Sequence, residues 1–165
     1  MSESQPAPQS LGGGPAAGER RFEIQRIYLK DLSFESPASP DLFSSEWRPQ
    51  IRVEIGTKDT EVADSIYEVV IQLTITAKHG NKTAILIELQ QAGLFQISGI
   101  EEPLMPHVLR VTCPTVLFPY ARETVDALAL KGSVPPLLLA PIDFQALYQQ
   151  VEEARRQQSA APPAS

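Results

Sequence analysis

The sequence predicts an α+β domain: a four-stranded antiparallel sheet with two helices packed on one of its faces. Three observations carry this. Residues 65–97 read as one long hairpin, with two alternating arms around a polar turn. Two further alternating segments precede it. Helical spacing enters only after it, in two segments separated by a proline-rich stretch.

Taken in order, residues 1–20 are Ser, Gln, Pro, Ala and Gly with few large apolar groups, and a disordered extension is expected there. From Phe22 to Glu35 the even positions Phe22, Ile24, Tyr28, Leu32 and Phe34 are apolar, while Ile27 and Leu29 interrupt the odd ones. A long strand bulged near Arg26 fits that pattern. Ser36–Pro49 holds Pro37, Pro40 and Pro49, which forbid a regular ladder, so a loop is expected. Gln50–Gly56 reads as a short strand with Ile51, Val53 and Ile55 inward, and Thr57–Asp64 as a polar connection.

In the hairpin's first arm Tyr67, Val69, Ile71, Leu73, Ile75 and Ala77 share one face, and Glu68, Gln72, Thr74 and Thr76 the other, with Val70 the exception. Gly80 and Asn81 suit the tight turn because both tolerate positive φ. In the second arm Thr83, Ile85, Ile87 and Leu89 alternate with Ala84, Leu86, Glu88 and Gln90. Gly99–Pro106 is irregular. Leu117, Tyr120, Ala121, Thr124 and Leu128 then repeat at helical spacing up to Lys131-Gly132. Pro119 suits a first helical turn, so this helix is expected to begin between Thr115 and Pro119. Val134–Pro141 carries three prolines and should be extended. Asp143 is a plausible N-cap for a second helix, Phe144 to about Gln157, with Phe144, Leu147, Tyr148 and Val151 on one stripe. The ordered domain is thus expected over 21–157, with a flexible tail at 158–165.

Composition narrows the function classes. The formal net charge is −6 and the pI about 4.9, the wrong sign for neutralising phosphates or anionic lipid. One cysteine, Cys113, leaves no internal disulfide and no cysteine-based zinc site. Residues 1–18 lack the basic and apolar regions of a signal peptide, and no apolar run approaches a membrane span. A cytoplasmic protein is the expectation.

Little in the chain points to catalysis. Cys113 and His107 match no nucleophile–base spacing, and a lone cysteine beside proline in an apolar stretch is ordinarily a small buried hydrophobe. His79 lies in a turn and is expected to be merely solvated. Gly12-Gly13-Gly14 has no preceding strand and no following lysine, so it fails as a phosphate loop. No cofactor and no metal are expected. Two surfaces are more informative. Asp31, Glu35 and Glu88 would surround Leu86 on the sheet's outward face, either a solvated face or a docking patch for a cationic partner. Leu42, Phe43 and Trp47 in the loop, with Phe144, Leu147 and Tyr148 on the last helix, either close the core or form an apolar binding surface.

The segments Phe22-Glu23-Ile24-Gln25-Arg26-Ile27-Tyr28-Leu29-Lys30-Asp31-Leu32-Ser33-Phe34-Glu35, Tyr67-Glu68-Val69-Val70, Gln90-Gln91-Ala92-Gly93-Leu94-Phe95, Cys113-Pro114 and Leu117-Phe118-Pro119-Tyr120-Ala121-Arg122-Glu123 closely resemble SecB, over about Phe22 to Tyr148. The resemblance implies a cytoplasmic chaperone for protein export that hydrolyses nothing. It implies a homotetramer, a dimer of dimers, that holds unfolded precursor proteins in apolar grooves and delivers them to the SecA motor ATPase. It places the client groove at Leu42, Phe43, Trp47, Phe144, Leu147 and Tyr148, and the SecA-docking face at Asp31, Glu35, Leu86 and Glu88. It implies neither nucleic-acid binding nor membrane insertion, and any zinc belongs to the SecA tail. A general cytosolic holdase of the same fold, without SecA delivery, is the alternative. The tail departs from the acidic tails of the family: Glu152, Glu153, Arg155 and Arg156 are followed by uncharged residues.

Overall fold

A computed structural model describes residues 19–160. The strands are β1 (Arg21–Glu35), β2 (Gln50–Ala63), β3 (Ile66–His79) and β4 (Lys82–Ser98). They form one antiparallel sheet in the order β1-β4-β3-β2. The helices follow: α1 (Met105–His107), a wide π-turn (Val108–Thr112), α2 (Cys113–Lys131) and α3 (Phe144–Ala160). The predicted sheet and the segregation of helices after it are both present. The predicted N-terminal extension lies outside the described residues as far as 18, and the tail from 161 onward.

β1 keeps its apolar residues on one side through two register shifts, between Ile24 and Arg26 and between Leu29 and Asp31. Each bulge moves the alternation by one residue. Phe22 and Ile24, then Ile27 and Leu29, then Leu32 and Phe34 oppose the helix-side residues of β4. Tyr28, expected with the apolar set, is therefore on the open side, opposite Ala92. The second bulge escapes a reading that assumes one continuous alternation.

β2 is twice as long as its apolar pattern. Thr57–Asp64, expected as a connection, instead continues the ladder against Ile71–Ile66 and ends in a tight turn at Asp64-Ser65, with Ser65 at φ 58°. Backbone pairing to β3 and the Asp59–Arg110 ion pair hold this half without apolar alternation, so it carried no strand signal.

The long helix begins at Met105, ahead of the predicted start, and carries Pro114 and Pro119 within α2. Pro114 lacks an N–H, and in a regular α-turn its ring would crowd the Arg110 carbonyl. The wide turn just before it, where Cys113 N–H reaches back to the Val108 carbonyl, relieves that crowding. Pro119 lies on an exposed stretch of α2, where water can satisfy the carbonyl it cannot reach. Cys113, Leu117, Ala121, Val125 and Ala129 recur every four residues and are fully buried against β3 and β4. Gly93 allows this approach: a Cβ there would come within 2.8 Å of both Leu117 Cδ2 and the Phe95 ring. The extended 134–142 segment buries Val134, Leu137 and Leu139. α3 starts at the predicted cap, where Asp143 Oδ1 accepts the Ala146 N–H at 2.9 Å. It continues three residues past the expected Gln157.

α2 roofs only the two central strands, and α3 packs chiefly on the wide turn. Both edge strands expose helix-side apolar groups: Phe22, Ile24, Leu29 and Leu32 on β1, and Ile51 and Val53 on β2 are each 36–43% exposed. Ile51 and Val53 were expected as core.

Candidate functional site

On the open side, four predicted residues come together. Asp31 pairs with Gln90, Ser33 with Glu88 and Glu35 with Leu86. Asp31, Ser33 and Glu35 therefore line up beside Glu88 and Leu86, because directly opposed residues share a face. Ser33 Oγ donates to Glu88 Oε2 at 3.5 Å. The three carboxylates are exposed and Leu86 is half-buried between them. The described residues place no cation within ion-pair distance of Asp31, Glu35 or Glu88. The patch thus combines uncompensated negative charge with one apolar anchor.

Next to it lies a polar bridge that sequence reasoning missed. Tyr28 on β1 donates its hydroxyl to Glu68 on β3, and Lys30 Nζ donates to both Glu68 oxygens at 2.7 and 2.8 Å. The bridge spans β4, where Ala92 is fully buried, and Val70 beside it is also buried. Lys30 and Tyr28 together hold the Glu68 carboxyl below the usual range. Burial first, then Glu68, pushes the Tyr28 phenol up to about 12.

The six residues predicted to line an apolar groove separate. Leu42 (5% exposed) and Phe144 (2%) belong to the core, with the Phe144 ring 6.0 Å from that of Phe118. Phe43 is exposed on a short helical turn, Asp41–Ser44. Trp47 is half-buried and lies parallel to the His79 ring at 6.2 Å. His79 is thus not a merely solvated turn residue: its Nε2 also meets Ser45 Oγ at 2.9 Å, tying loop to hairpin.

Leu147 and Tyr148 do line a cleft of about 500 Å³ between β2 and α3, with Ile55, Thr57, Asp59, Arg110 and Val151. Ile51 and Val53 continue its apolar side along the helix-facing edge of β2, toward the end of the strand that Trp47 precedes. An exposed apolar edge strand beside a helix-walled cleft can take an extended chain, through backbone hydrogen bonds and non-directional apolar contacts. Signals for Ile51 and Val53 were present, but alternation alone does not tell a covered strand face from an uncovered one.

Cys113 is fully buried, and burial above all, then Asp59, pushes its thiol up to about 12. It stays protonated at neutral pH and is a poor nucleophile. Among the described residues, no three His, Cys, Asp or Glu side chains cluster closely enough to hold a metal. No described helix is long and apolar enough to cross a membrane.

Comparison with known proteins identifies the family. Residues 15–155 match the family described as preprotein translocase subunit SecB. The chain belongs to the SecB family. It is 47% identical over 152 residues to the protein-export protein SecB of Marinobacter nauticus, covering 92% of each chain. It is 52% identical over 141 residues to that of Hahella chejuensis, covering 86% of this chain and 89% of the relative. Among solved structures it is similar to a Mycobacterium tuberculosis SecB-like chaperone in complex with an antitoxin peptide. That likeness has a TM-score of 0.59 at 21% identity, over 74% of this chain and 91% of the other, and shows a shared fold. The predicted resemblance to SecB therefore holds, and with it membership of a family of protein-export chaperones.

Proposed function

We propose that this SecB-family chain is a cytoplasmic holdase. It binds unfolded precursor proteins along the β2–α3 cleft and delivers them to the SecA motor ATPase through Asp31, Glu35, Leu86 and Glu88. The observation that carries the proposal is the division of the sheet. Uncovered apolar residues lie on its helix side at β2, while an uncompensated acidic patch with one leucine lies on its open side. A client and a basic motor segment then need not compete. The predicted groove narrows to Phe43, Trp47, Leu147 and Tyr148, joined by Ile51, Ile55 and Val53; Leu42 and Phe144 support it from the core.

The homotetramer, a dimer of dimers, draws support from the other flank. β1 is an edge strand whose exposed Phe22, Ile24, Leu29 and Leu32 would be covered by a second copy. In the alternative, the fold serves cytosolic clients without SecA; the solved SecB-like chaperone with an antitoxin peptide favours keeping it in view.

Leu86→Arg and Glu88→Lys test the docking face. Each should weaken SecA binding by about tenfold, measured at low salt, because each places cation against cation in the patch. Suppression of client aggregation should be unchanged. Equal loss of both activities would remove the open side from the delivery role, and wild-type protein that never binds SecA would favour the alternative.

A further inference from the structure

The cleft between β2 and α3 has a charged fastening that its apolar lining does not require. Arg110, on the wide turn, donates from Nε to Asp59 Oδ1 on β2 at 3.2 Å. Its Nη1 lies 3.7 Å from Glu152 Oε1 on α3. One guanidinium thus joins the three elements that enclose the cleft. The side chains of Arg110, Asp59 and Glu152 are 38%, 26% and 26% exposed, so these pairs are better shielded from solvent than the ion pairs at Arg48 and Arg52, whose side chains are 60–78% exposed.

α3 is held unevenly. Its first half is fixed by the Asp143 cap, by buried Phe144, and by His107, whose Nε2 meets Gln145 Oε1 at 2.5 Å and whose ring meets the edge of Tyr148. From Gln149 through Ser159 every residue but Glu152 is exposed. Among the described residues, Arg110–Glu152 is the ion pair that fastens this second half to the body.

We propose that Arg110 is a positioning residue, an ionic clasp that sets the distance of α3 from β2 and so controls the entry of an extended apolar segment into the cleft. Its control of client entry rests on reading the cleft as the client site. It predicts that salt has two opposed effects on the chaperone. Salt weakens the attraction of this acidic protein for any client segment of positive charge, but it also loosens α3 and opens the cleft.

Hydrogen exchange on the full-length protein tests the clasp directly. Arg110→Met should speed exchange of amides 149–157 by about fivefold, the upper scale for losing the one partly shielded ion pair that holds this half of α3, with less effect near Asp143. Arg110→Lys should restore part of the protection. Glu152→Gln should loosen the same amides while leaving Arg110 paired with Asp59, and serves if Arg110→Met fails to fold. In about 1 M salt, where screening acts over roughly 3 Å, the wild type should approach the variant while Arg110→Met changes little. Unchanged exchange in both Arg110→Met and Glu152→Gln, or equal salt responses in variant and wild type, would overturn the clasp. Capture of a chemically unfolded, uncharged client should be faster in the loosened variants. Loosened exchange with unaltered capture would leave the clasp standing but remove the cleft as the client site.

Discussion

Tyr28 shows what a single misplaced phase conceals. Alternation from Phe22 puts it among the apolar residues; two bulges turn it to the open side, where it reaches Glu68 across β4. The carbonyl of Tyr28 is met from the other side by Gln91 Nε2 at 2.9 Å, which explains a glutamine only 4% exposed among core residues. Two titrations follow from the bridge. The raised Tyr28 pKa means that its stabilisation is complete below the ordinary phenol value of 10.0 and is lost as pH rises toward about 12. The lowered Glu68 pKa works oppositely: its stabilisation is present above the ordinary 4.5 and is lost as pH falls through the depressed value. Phenolate absorbance should therefore show a tyrosine titrating near 12 that vanishes in Tyr28→Phe. The same variant should lose about 1 kcal/mol by urea denaturation, the ordinary worth of a hydrogen bond. A Tyr28 that ionises like a free phenol would dissolve the bridge.

At the scale of elements, legibility followed alternation. Most of β3 and the first half of β4 were readable because α2 covers one face and the other is largely polar, which writes a period of two into the sequence; buried Val70, Ala84 and Ala92, and His79 in the turn, are the exceptions. β2 was readable only over Gln50–Gly56, since its polar half is held by backbone pairing to β3 rather than by burial. The long helix was misplaced because proline ordinarily marks a start, whereas here a wide turn makes room for Pro114. α3 was legible from Asp143 onward, and the cap makes a prediction about local stability. Asp143→Ala removes the acceptor of the Ala146 N–H and should cost about 1 kcal/mol of helix stability. Because α3 packs chiefly on the wide turn and little on the sheet, that loss should appear as faster amide exchange within α3 at a scarcely altered global unfolding midpoint. A fall in the global midpoint of matching size would mean that α3 unfolds together with the sheet.

For the whole molecule, the decisive fact is that α2, the one helix that packs broadly on the sheet, cannot cover four strands. Had the roof reached the sheet edges, Ile51 and Val53 would be core and the fold would offer no apolar flank to a client. The aromatic set read from the sequence mixed the two cases: Phe144 and Leu42 are part of the roofed core, so replacing them tests stability rather than binding. The informative variant lies on the uncovered edge. Ile51→Thr with Val53→Thr keeps β-branched side chains in an edge strand and removes apolar surface that is already 41% and 39% exposed. Its stability cost should stay within about 1 kcal/mol, since partly exposed positions lose little on such replacement. Its effect on a bound client should be larger, because a client would cover both residues completely, and each apolar group so buried is worth about 1 kcal/mol or more. Client affinity should therefore fall by about tenfold or more, read as weaker suppression of aggregation at equal protein concentration. The SecA binding proposed for Leu86 and Glu88, on the opposite side of the sheet, should be unmoved. Undiminished suppression at an unchanged unfolding midpoint would remove β2 from the client site.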